Sequence, residues 1–214
     1  VEGGDAEAPS GLRRLFQRYD ALLYSHPIKT KSCTAFVIFA LGDILAQLVQ
    51  RLRVPEGKKP APFDFGRMLR GSLFGFVVSG PANHYNFMFL EFLVAGRFGL
   101  VGFPMAAVKM FFDQFVYFAF FMCGSYHLLM NALEGKSAEE GIRRLKDNFW
   151  DTMKANWMLW PTVQILNFKF IPVAWQLNFV LAASVIWALF LSFTFQGGDD
   201  EEEESPSEVA RLEG

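Results

Sequence analysis

The sequence predicts an all-α fold, an integral membrane bundle of four transmembrane helices with an N-terminal amphipathic helix. Three observations predict it. Apolar residues make up 52% of the 214 residues, and 25 residues are Phe. They are concentrated in long runs, each near the roughly 20 residues that a helix needs to cross a bilayer. The runs lack the strict alternation of membrane barrel strands. The four predicted spans are residues 32–49, 71–95, 103–133 and 171–195.

The chain before the first span divides into two parts. Residues 1–11 are small and acidic, so we expect a flexible segment without the apolar core of a secretory signal peptide. Residues 12–23 (LRRLFQRYDALL) place Arg13, Arg14 and Arg18 on one polar side, which predicts an amphipathic helix at the membrane interface. The chain begins with Val1, from which we expect removal of an organellar presequence.

The predicted membrane domain covers residues 12–196. Within it, residues 157–170 are shorter and more mixed than the spans. They are predicted either to lie at the interface or to extend the fourth span at its start. Residues 197–214, which begin GGDDEEEESPSE, are a low-complexity acidic stretch and are predicted to be a disordered, solvated tail.

The distribution of Lys and Arg predicts an orientation. With four spans, both termini lie on one side of the membrane, together with the connection around Arg97. That side collects seven cations and the side of the two longer loops collects eleven, while Lys109 and Lys169 lie in or next to spans. Loops with an excess of Lys and Arg remain on the side from which a membrane protein is inserted, the cis side. The two long loops are therefore predicted to lie on the cis side.

Charged side chains within the spans are the most informative residues. A charge at mid-membrane costs about 2.5–3.5 kcal/mol on insertion scales, so we expect these residues to face the bundle interior or water. Asp43 and Gln47 lie four residues apart, on one helical face. Asp43 lacks a cation in its own span and needs a partner from another helix or water. Lys109 and Asp113 have the same spacing, which predicts that the two charges neutralise each other within one helix.

Uncharged polar residues accompany these charges. Gln114 lies beside Asp113, and Asn83, His84 and Asn86 follow Gly80-Pro81. The proline removes a backbone donor, which frees carbonyl groups near those side chains. Two interpretations remain open: the polar residues are buried interhelical hydrogen bonds, or they line a hydrophilic path. The candidate lining residues are Asp43, Gln47, His84, Lys109, Asp113 and Gln114.

Several functional classes are not supported. The net charge of −2 gives no indication of nucleic-acid binding. The two cysteines, Cys33 and Cys123, both lie in apolar runs, which argues against a disulfide scaffold or a cysteine-rich metal site. No HExxH motif, paired histidine spacing or Gly-rich phosphate loop occurs. We therefore predict no metal, no cofactor and no catalytic residue.

The order of motifs resembles the family of the peroxisomal membrane protein of twenty-two kilodaltons and its mitochondrial inner-membrane relatives of the Mpv-seventeen type. The resemblance covers most of residues 16–195. In the first half of the chain it rests on Tyr19, Leu23, His26-Pro27, Thr30, Gly42-Asp43, Gln47, Arg70, Gly71, Gly75, Gly80-Pro81 and His84. In the second half it rests on Lys109, Asp113-Gln114, Asn156-Trp157, Trp160-Pro161, Gln164, Asn167-Phe168, Pro172, Trp187 and Leu191-Ser192.

The chain departs from the family pattern at three places. Asn86-Phe87 stands where the family has Trp-Tyr, Ala119 where it has Pro, and Gln176 where it has Arg. The resemblance implies a four-helix organellar membrane protein that is not an enzyme. It also implies one of two activities, a poorly selective pore for small hydrophilic solutes or the handling of metabolites in the mitochondrial inner membrane.

Three hypotheses about function follow. The first is a channel whose mixed lining charges give weak selectivity, since a ring of one sign is needed to reject one class of ion. The second is a structural or accessory subunit of a larger mitochondrial membrane complex. The third, a membrane enzyme using His84 and Asp113, has the least support because no nucleophile–base spacing is visible.

The expected partners are the lipid bilayer and either further copies of the chain or a larger membrane protein complex, and no nucleic acid. The expected location is the mitochondrial inner membrane, with the peroxisomal membrane as the alternative.

Overall fold

The computed structural model describes residues 11–54 and 59–194, with side chains as far as residue 187. This part of the chain is helical and contains no strand, so the predicted all-α class is confirmed. The proposed flexible segment and acidic tail lie almost entirely outside the described residues. The helices are α1 (Gly11–Ser25), α2 (Pro27–Leu52), α3 (residues 65–97), α4 (Gly102–Leu133), α5 (Ala138–Phe170) and α6 (Gln176–Thr194).

The helix boundaries follow from local sequence. Pro27 opens α2 at a position where the missing amide hydrogen costs nothing. The carboxylate of Asp64 accepts a hydrogen bond from the Arg67 amide at 2.8 Å and so caps the start of α3. Ser137 caps α5 in the same way, through the Glu140 amide at 3.2 Å. Gly135 adopts a positive φ of 74° after α4, a conformation that favours glycine.

Two helices contain segments of wider π-helical winding. In α3 these are Gly75–Ser79 and Glu91–Arg97, and in α4 the segment is Phe112–Met122. The first lies directly before Pro81, whose ring cannot fit under a regular turn, and we attribute the widened turn to it. Such segments are rare and are frequently found at functional sites. The segment in α4 carries Asp113 and Gln114.

Helices α2 to α6 lie side by side and alternate in direction. Leu177 and Leu181 of α6 pack with Ala35 of α2, and Phe87 of α3 packs with Phe168 of α5. One end of the bundle, called here the α1 end, contains α1 and residues 98–101 and 171–175. The other, called the loop end, contains residues 53–54, 59–64 and 134–137.

The predicted amphipathic helix is present as α1 and lies across the α1 end. The carboxylate of Asp20 accepts a hydrogen bond from Trp175 Nε1 at 2.8 Å, and the ring of Phe16 stacks on Trp175 with centroids 5.0 Å apart. The Tyr19 hydroxyl lies 2.7 Å from Thr34 Oγ1 of α2. The helix therefore ties the start of α2 to the start of α6.

One of the two sequence interpretations was that residues 157–170 extend the fourth span at its start. This interpretation is wrong. These residues form the second half of α5, and the backbone leaves the helix at Ile171, with φ −100° and ψ 127°. Pro172 forces this extended conformation on the residue before it. Helix α6 therefore begins at Gln176 rather than at Ile171. The bundle thus has one long helix more than the four predicted spans.

The distribution of side chains is the reverse of that in a water-soluble domain. Buried positions in the described chain include more polar or charged side chains than apolar ones, whereas large apolar side chains such as Phe120, Val77 and Phe92 are exposed. In water this surface would be unfavourable, but in lipid it is the expected one. Within the described part, α2 and α4 are long and apolar enough to cross a membrane, and residues 176–187 form a shorter apolar helix.

Helices α2 and α3 come closest at Gly80. A Cβ atom at this position would lie 2.7 Å from Ser32 Cα and 2.9 Å from Ser32 Oγ, whereas a Cβ at Gly71 would meet no atom within 4 Å. Small residues permit such backbone approaches in membrane bundles.

We expect Gly80→Ala to lower the free energy of unfolding by about 1–3 kcal/mol, because α2 and α3 must move apart. The control, Gly71→Ala, should be neutral or stabilise the protein by up to about 1 kcal/mol through helix propensity. Thermal unfolding of both variants in detergent measures the difference. Equal midpoints for the two variants would contradict the close contact.

Candidate functional site: a polar interior

A cavity of about 560 Å³ opens at the loop end of the bundle and is called here the vestibule. Charged side chains of both signs line it: Asp43, Arg67, Arg70, Glu134 and Arg144. A wall of mixed sign favours neither cations nor anions strongly.

Asp43 finds its counter-charge on the neighbouring helix, as predicted. Arg67 Nε of α3 lies 2.7 Å from Asp43 Oδ1. Gln47 donates to Asp43 Oδ2 at 2.6 Å. Its side-chain amide also donates to the carbonyl oxygen of Asp64 and accepts from the backbone N–H of Asp64. Gln47 is not among the lining residues of either cavity and acts by holding Asp43 and the start of α3 in place.

Glu134 anchors the opposite wall of the vestibule, just after the end of α4. Its carboxylate accepts from Lys136 at 2.9 Å and from Arg144 at 3.2 Å. The hydrogen bond from Lys136 is the main reason that the pKa of Glu134 lies below its ordinary value. The carboxylate therefore remains charged at neutral pH and balances the arginine beside it.

A second, smaller cavity lies deeper in the bundle and is called here the inner cavity. Its volume is about 150 Å³. Six polar side chains line it together with several aromatic rings: Ser79, Asn83, Asp113, Gln114, Gln164 and Ser184. A single water needs about 10–15 Å³, so the inner cavity has room for several waters or one small solute.

Asp113 is the charged group of the inner cavity. It is 2% exposed and accepts hydrogen bonds from three neutral amides: Asn86 at 2.6 Å, Gln114 at 2.7 Å and Gln164 at 2.7 Å. These donors belong to α3, α4 and α5. One buried carboxylate therefore holds three helices together.

Two further amides extend this network along α5. Asn156 donates to Gln114 Oε1 at 2.7 Å, and Asn167 donates to Gln164 Oε1 at 2.8 Å. The hydroxyl of Tyr117, which also lines the inner cavity, is buried without a hydrogen-bond partner. A buried hydroxyl of this kind is costly unless a water or a solute satisfies it.

The two cavities are neighbours and share two lining residues. Phe39 of α2 and Ser184 of α6 line both of them. The ring of Phe39 is held close against Gly75, where an added Cβ would lie 3.0 Å from it. Towards the α1 end, an apolar cluster that includes Phe87, Leu90 and Phe168 fills the space between the helices.

Lys109 does not pair with Asp113, so the predicted intrahelical pair is wrong. Its ammonium binds the carboxylate of Glu91 on α3 and is 1% exposed. Asp113 lies in the π-helical segment that begins at Phe112, and its carboxylate is instead bonded by amides of α3, α4 and α5. It lines the inner cavity.

His84 lies apart from the carboxylate network. Its Nδ1 is 3.2 Å from Nζ of Lys31, a buried residue of α2. Of the six candidate residues, the structure places Asp43 in the vestibule wall and brings Asp113 and Gln114 together in the inner cavity. Gln47, His84 and Lys109 are absent from both linings.

Sequence reasoning missed Gln164 as a partner of Asp113 and Glu91 as the partner of Lys109. A signal was present for the first. Asn156, Gln164 and Asn167 are spaced by eight and three residues, which places them on one helical face. Glu91 lies near the end of a predicted span, where no pattern distinguished it from a solvated residue.

The ion pair between Lys109 and Glu91 can be tested by a double-mutant cycle. Glu91→Gln leaves a buried ammonium without its carboxylate and should lower the unfolding free energy by about 3 kcal/mol. Lys109→Met combined with Glu91→Gln should recover most of that loss.

The control is Lys154→Met combined with Asp151→Asn, an exposed pair at 3.2 Å whose coupling should be close to zero. Unfolding midpoints in detergent measure both cycles. Coupling of Lys109 to Asp113 instead of Glu91 would contradict the arrangement described above.

Comparison with known proteins gives one consistent result. Residues 131–192 match the model of the Mpv17 / PMP22 family. Protein SYM1 of Eremothecium gossypii is 34% identical over 84% of this chain and 94% of its own length. Mitochondrial inner membrane protein Mpv17 of Xenopus laevis is 32% identical over 86% of this chain and 97% of its own length.

Peroxisomal membrane protein 2 of Bos taurus is 29% identical over 84% of this chain and 89% of its own length. No solved structure matches the chain. The relatives' names thus include one membrane protein of the peroxisome and one of the mitochondrial inner membrane. Identity above 30% over more than four fifths of the chain shows that this protein belongs to the Mpv17 / PMP22 family.

Proposed function

We propose that this protein forms a poorly selective, water-filled path for small hydrophilic solutes across an organelle membrane. The observation that carries the proposal is the pair of cavities that share Phe39 and Ser184. Together they lead from the loop end to the buried carboxylate of Asp113 through walls that contain polar groups. Buried hydrogen bonds that only join helices would not require such open space.

The wall chemistry supports weak selectivity. Arg67 is paired with Asp43, and Arg144 with Glu134, so the charges of the vestibule largely cancel. Filters that reject one class of ion need a ring of one sign. Size is then the main criterion, and in this proposal the passage beside Phe39 sets it.

The apolar cluster at the α1 end makes this the closed form of the path. Phe87 and Phe168 contact each other there, with ring centroids 5.6 Å apart, and Leu177 of α6 packs beside them. Conduction requires these side chains to separate. The π-helical segment of α4 borders this cluster, since Phe112 packs against it, so a shift of α4 would loosen the cluster.

We further propose that five helices cross the membrane rather than the four predicted. Helix α5 lies beside α4 over most of its length, with Gln164 opposite Asp113 and Gly141 close to Asn131. If α4 spans the bilayer, α5 lies at the same depth. Its second half is suited to that position, since Asn156 and Gln164 point inwards while Met158 and Leu166 are exposed.

The names of the relatives support a membrane of the mitochondrion or the peroxisome. We place the protein in the mitochondrial inner membrane, with the peroxisomal membrane as the alternative. Its partners in this proposal are the bilayer and further copies of the chain or a larger membrane complex. The proposal assigns no catalytic reaction to it.

The closed α1 end favours one competing function, that of a structural subunit in a larger membrane complex. Such a subunit would be folded and would conduct nothing. Migration on a native gel from mild detergent separates the two functions, because a small homo-oligomer fits a channel and a very large particle fits a subunit.

Solute flux through reconstituted protein tests the path directly. We expect liposomes that contain the purified chain to swell in small hydrophilic solutes, and Phe39→Ala to increase the rate because it widens the passage between the two cavities. Phe92→Ala, which removes an exposed ring from α3, is the matched control and should leave the rate unchanged. Absence of flux in both the wild type and Phe39→Ala would refute the channel.

Cysteine labelling distinguishes five crossings from four. In a background with Cys33→Ala and Cys123→Ala, single cysteines replace Gln17, Lys136 or Ala174. With five crossings, position 174 reacts with an impermeant reagent from the same side as position 17. With four crossings, it reacts from the same side as position 136, and the proposed role of α5 fails.

A further inference from the structure

We propose that the inner cavity binds a small monovalent organic cation, an alkylammonium, with Asp113 as its counter-charge. The inference rests on the proposed function and names the class of solute that this part of the path holds. It is carried by the carboxylate, by the aromatic walls and by an unsatisfied hydroxyl in the same cavity.

The carboxylate of Asp113 has the negative charge that attracts a cation and one free position to accept a hydrogen bond. Its three donors, Asn86, Gln114 and Gln164, are neutral amides, so they stabilise the negative charge without cancelling it. An ionised carboxylate offers about four acceptor positions, and the amides occupy three. One position remains for the N–H group of a ligand that reaches the inner cavity.

The buried lysines of the described chain, Lys31 and Lys109, are engaged with other groups. Lys109 binds Glu91, and Lys31 lies 3.2 Å from His84. Neither lysine is among the lining residues of the inner cavity. The electrostatic potential inside the cavity is therefore set mainly by Asp113, which repels anions and attracts a cation.

The walls select an organic cation over a bare metal ion. Aromatic side chains line the cavity around the carboxylate: Phe39, Tyr117, Phe118 and Trp160. Aromatic faces attract ammonium groups, most strongly when water is excluded. Divalent metals prefer several carboxylate or carbonyl oxygens, and the described residues contain no group of three His, Cys, Asp or Glu side chains that could hold one.

The size of the inner cavity and the unsatisfied Tyr117 hydroxyl fit the same class of ligand, an alkylammonium. A volume of about 150 Å³ accommodates an ammonium with a few carbon atoms. The Tyr117 hydroxyl, buried without a partner, can accept or donate a hydrogen bond to a ligand that carries an N–H or O–H group. An amine or a hydroxylated ammonium satisfies it, and a purely apolar guest does not.

The test is equilibrium binding to the full chain in lipid nanodiscs, measured by calorimetry. The probes are methylammonium and trimethylammonium chloride, which both carry an N–H group, with sodium chloride and sodium acetate as comparisons at equal ionic strength. We expect saturable binding of the two ammonium ions, and neither sodium nor acetate should bind or compete. Equal competition by sodium, or saturable binding of acetate, would overturn the proposal.

Two variants locate the site. Asp113→Asn should weaken ammonium binding at least tenfold, whereas Asp151→Asn, the same change at an exposed carboxylate of α5, should leave it unchanged. Trp160→Leu should weaken trimethylammonium binding about tenfold by removing an aromatic face. Trp150→Leu, an exposed tryptophan on the same helix, is its control.

If Asp113→Asn does not fold, Trp160→Leu decides the question. Unchanged binding in a folded Trp160→Leu variant, or no ammonium binding to the wild type, would overturn the inference. The outcome is independent of conduction. Flux without ammonium binding refutes this inference alone, and ammonium binding without flux refutes the channel alone.

Discussion

The carboxylate of Asp113 is the group on which the rest of the bundle depends. It is buried among helices and accepts hydrogen bonds from α3, from its own helix and from α5. Removing it would leave amide donors without an acceptor in a medium where each unmet group costs several kcal/mol. The relative positions of the three helices are thus set by polar contacts, since apolar side chains gain little by leaving lipid for one another.

The same constraint explains the form of the interior. Polar groups that face inwards each need a hydrogen-bond partner at a fixed distance. A cavity lies beside Asp113, and it shares Phe39 and Ser184 with the charged vestibule at the loop end. Further along, where the side chains are apolar, the helices close on each other. In the channel that we propose, this division makes a polar path with an apolar gate.

Much of this arrangement could be predicted from the sequence, and the failures have physical causes. Hydropathy identified α2, α4 and most of α3 and α6, and the cost of an isolated charge predicted a partner for Asp43, which is Arg67. Hydropathy missed α5 as a full helix of the bundle because its first half is rich in charged residues and its second half carries the inward-facing amides Asn156 and Gln164. The predicted pairing of Lys109 with Asp113 failed because spacing within one helix cannot show partners on other helices, which are Glu91 for Lys109 and amides such as Gln164 for Asp113.

The central claim is that water reaches the middle of the bundle from the loop end and from that end alone in the closed form. Ser184 lines both cavities, so a cysteine at this position gives the most direct test. The measurement is its reaction, in proteoliposomes, with a small membrane-impermeant thiol reagent. The native cysteines are replaced by alanine, and Ile186→Cys, on the exposed face of α6, is the lipid-facing control. The account predicts modification of Ser184→Cys from the loop-end side only, with no modification of Ile186→Cys. A folded Ser184→Cys protein that is unreactive from both sides would contradict it.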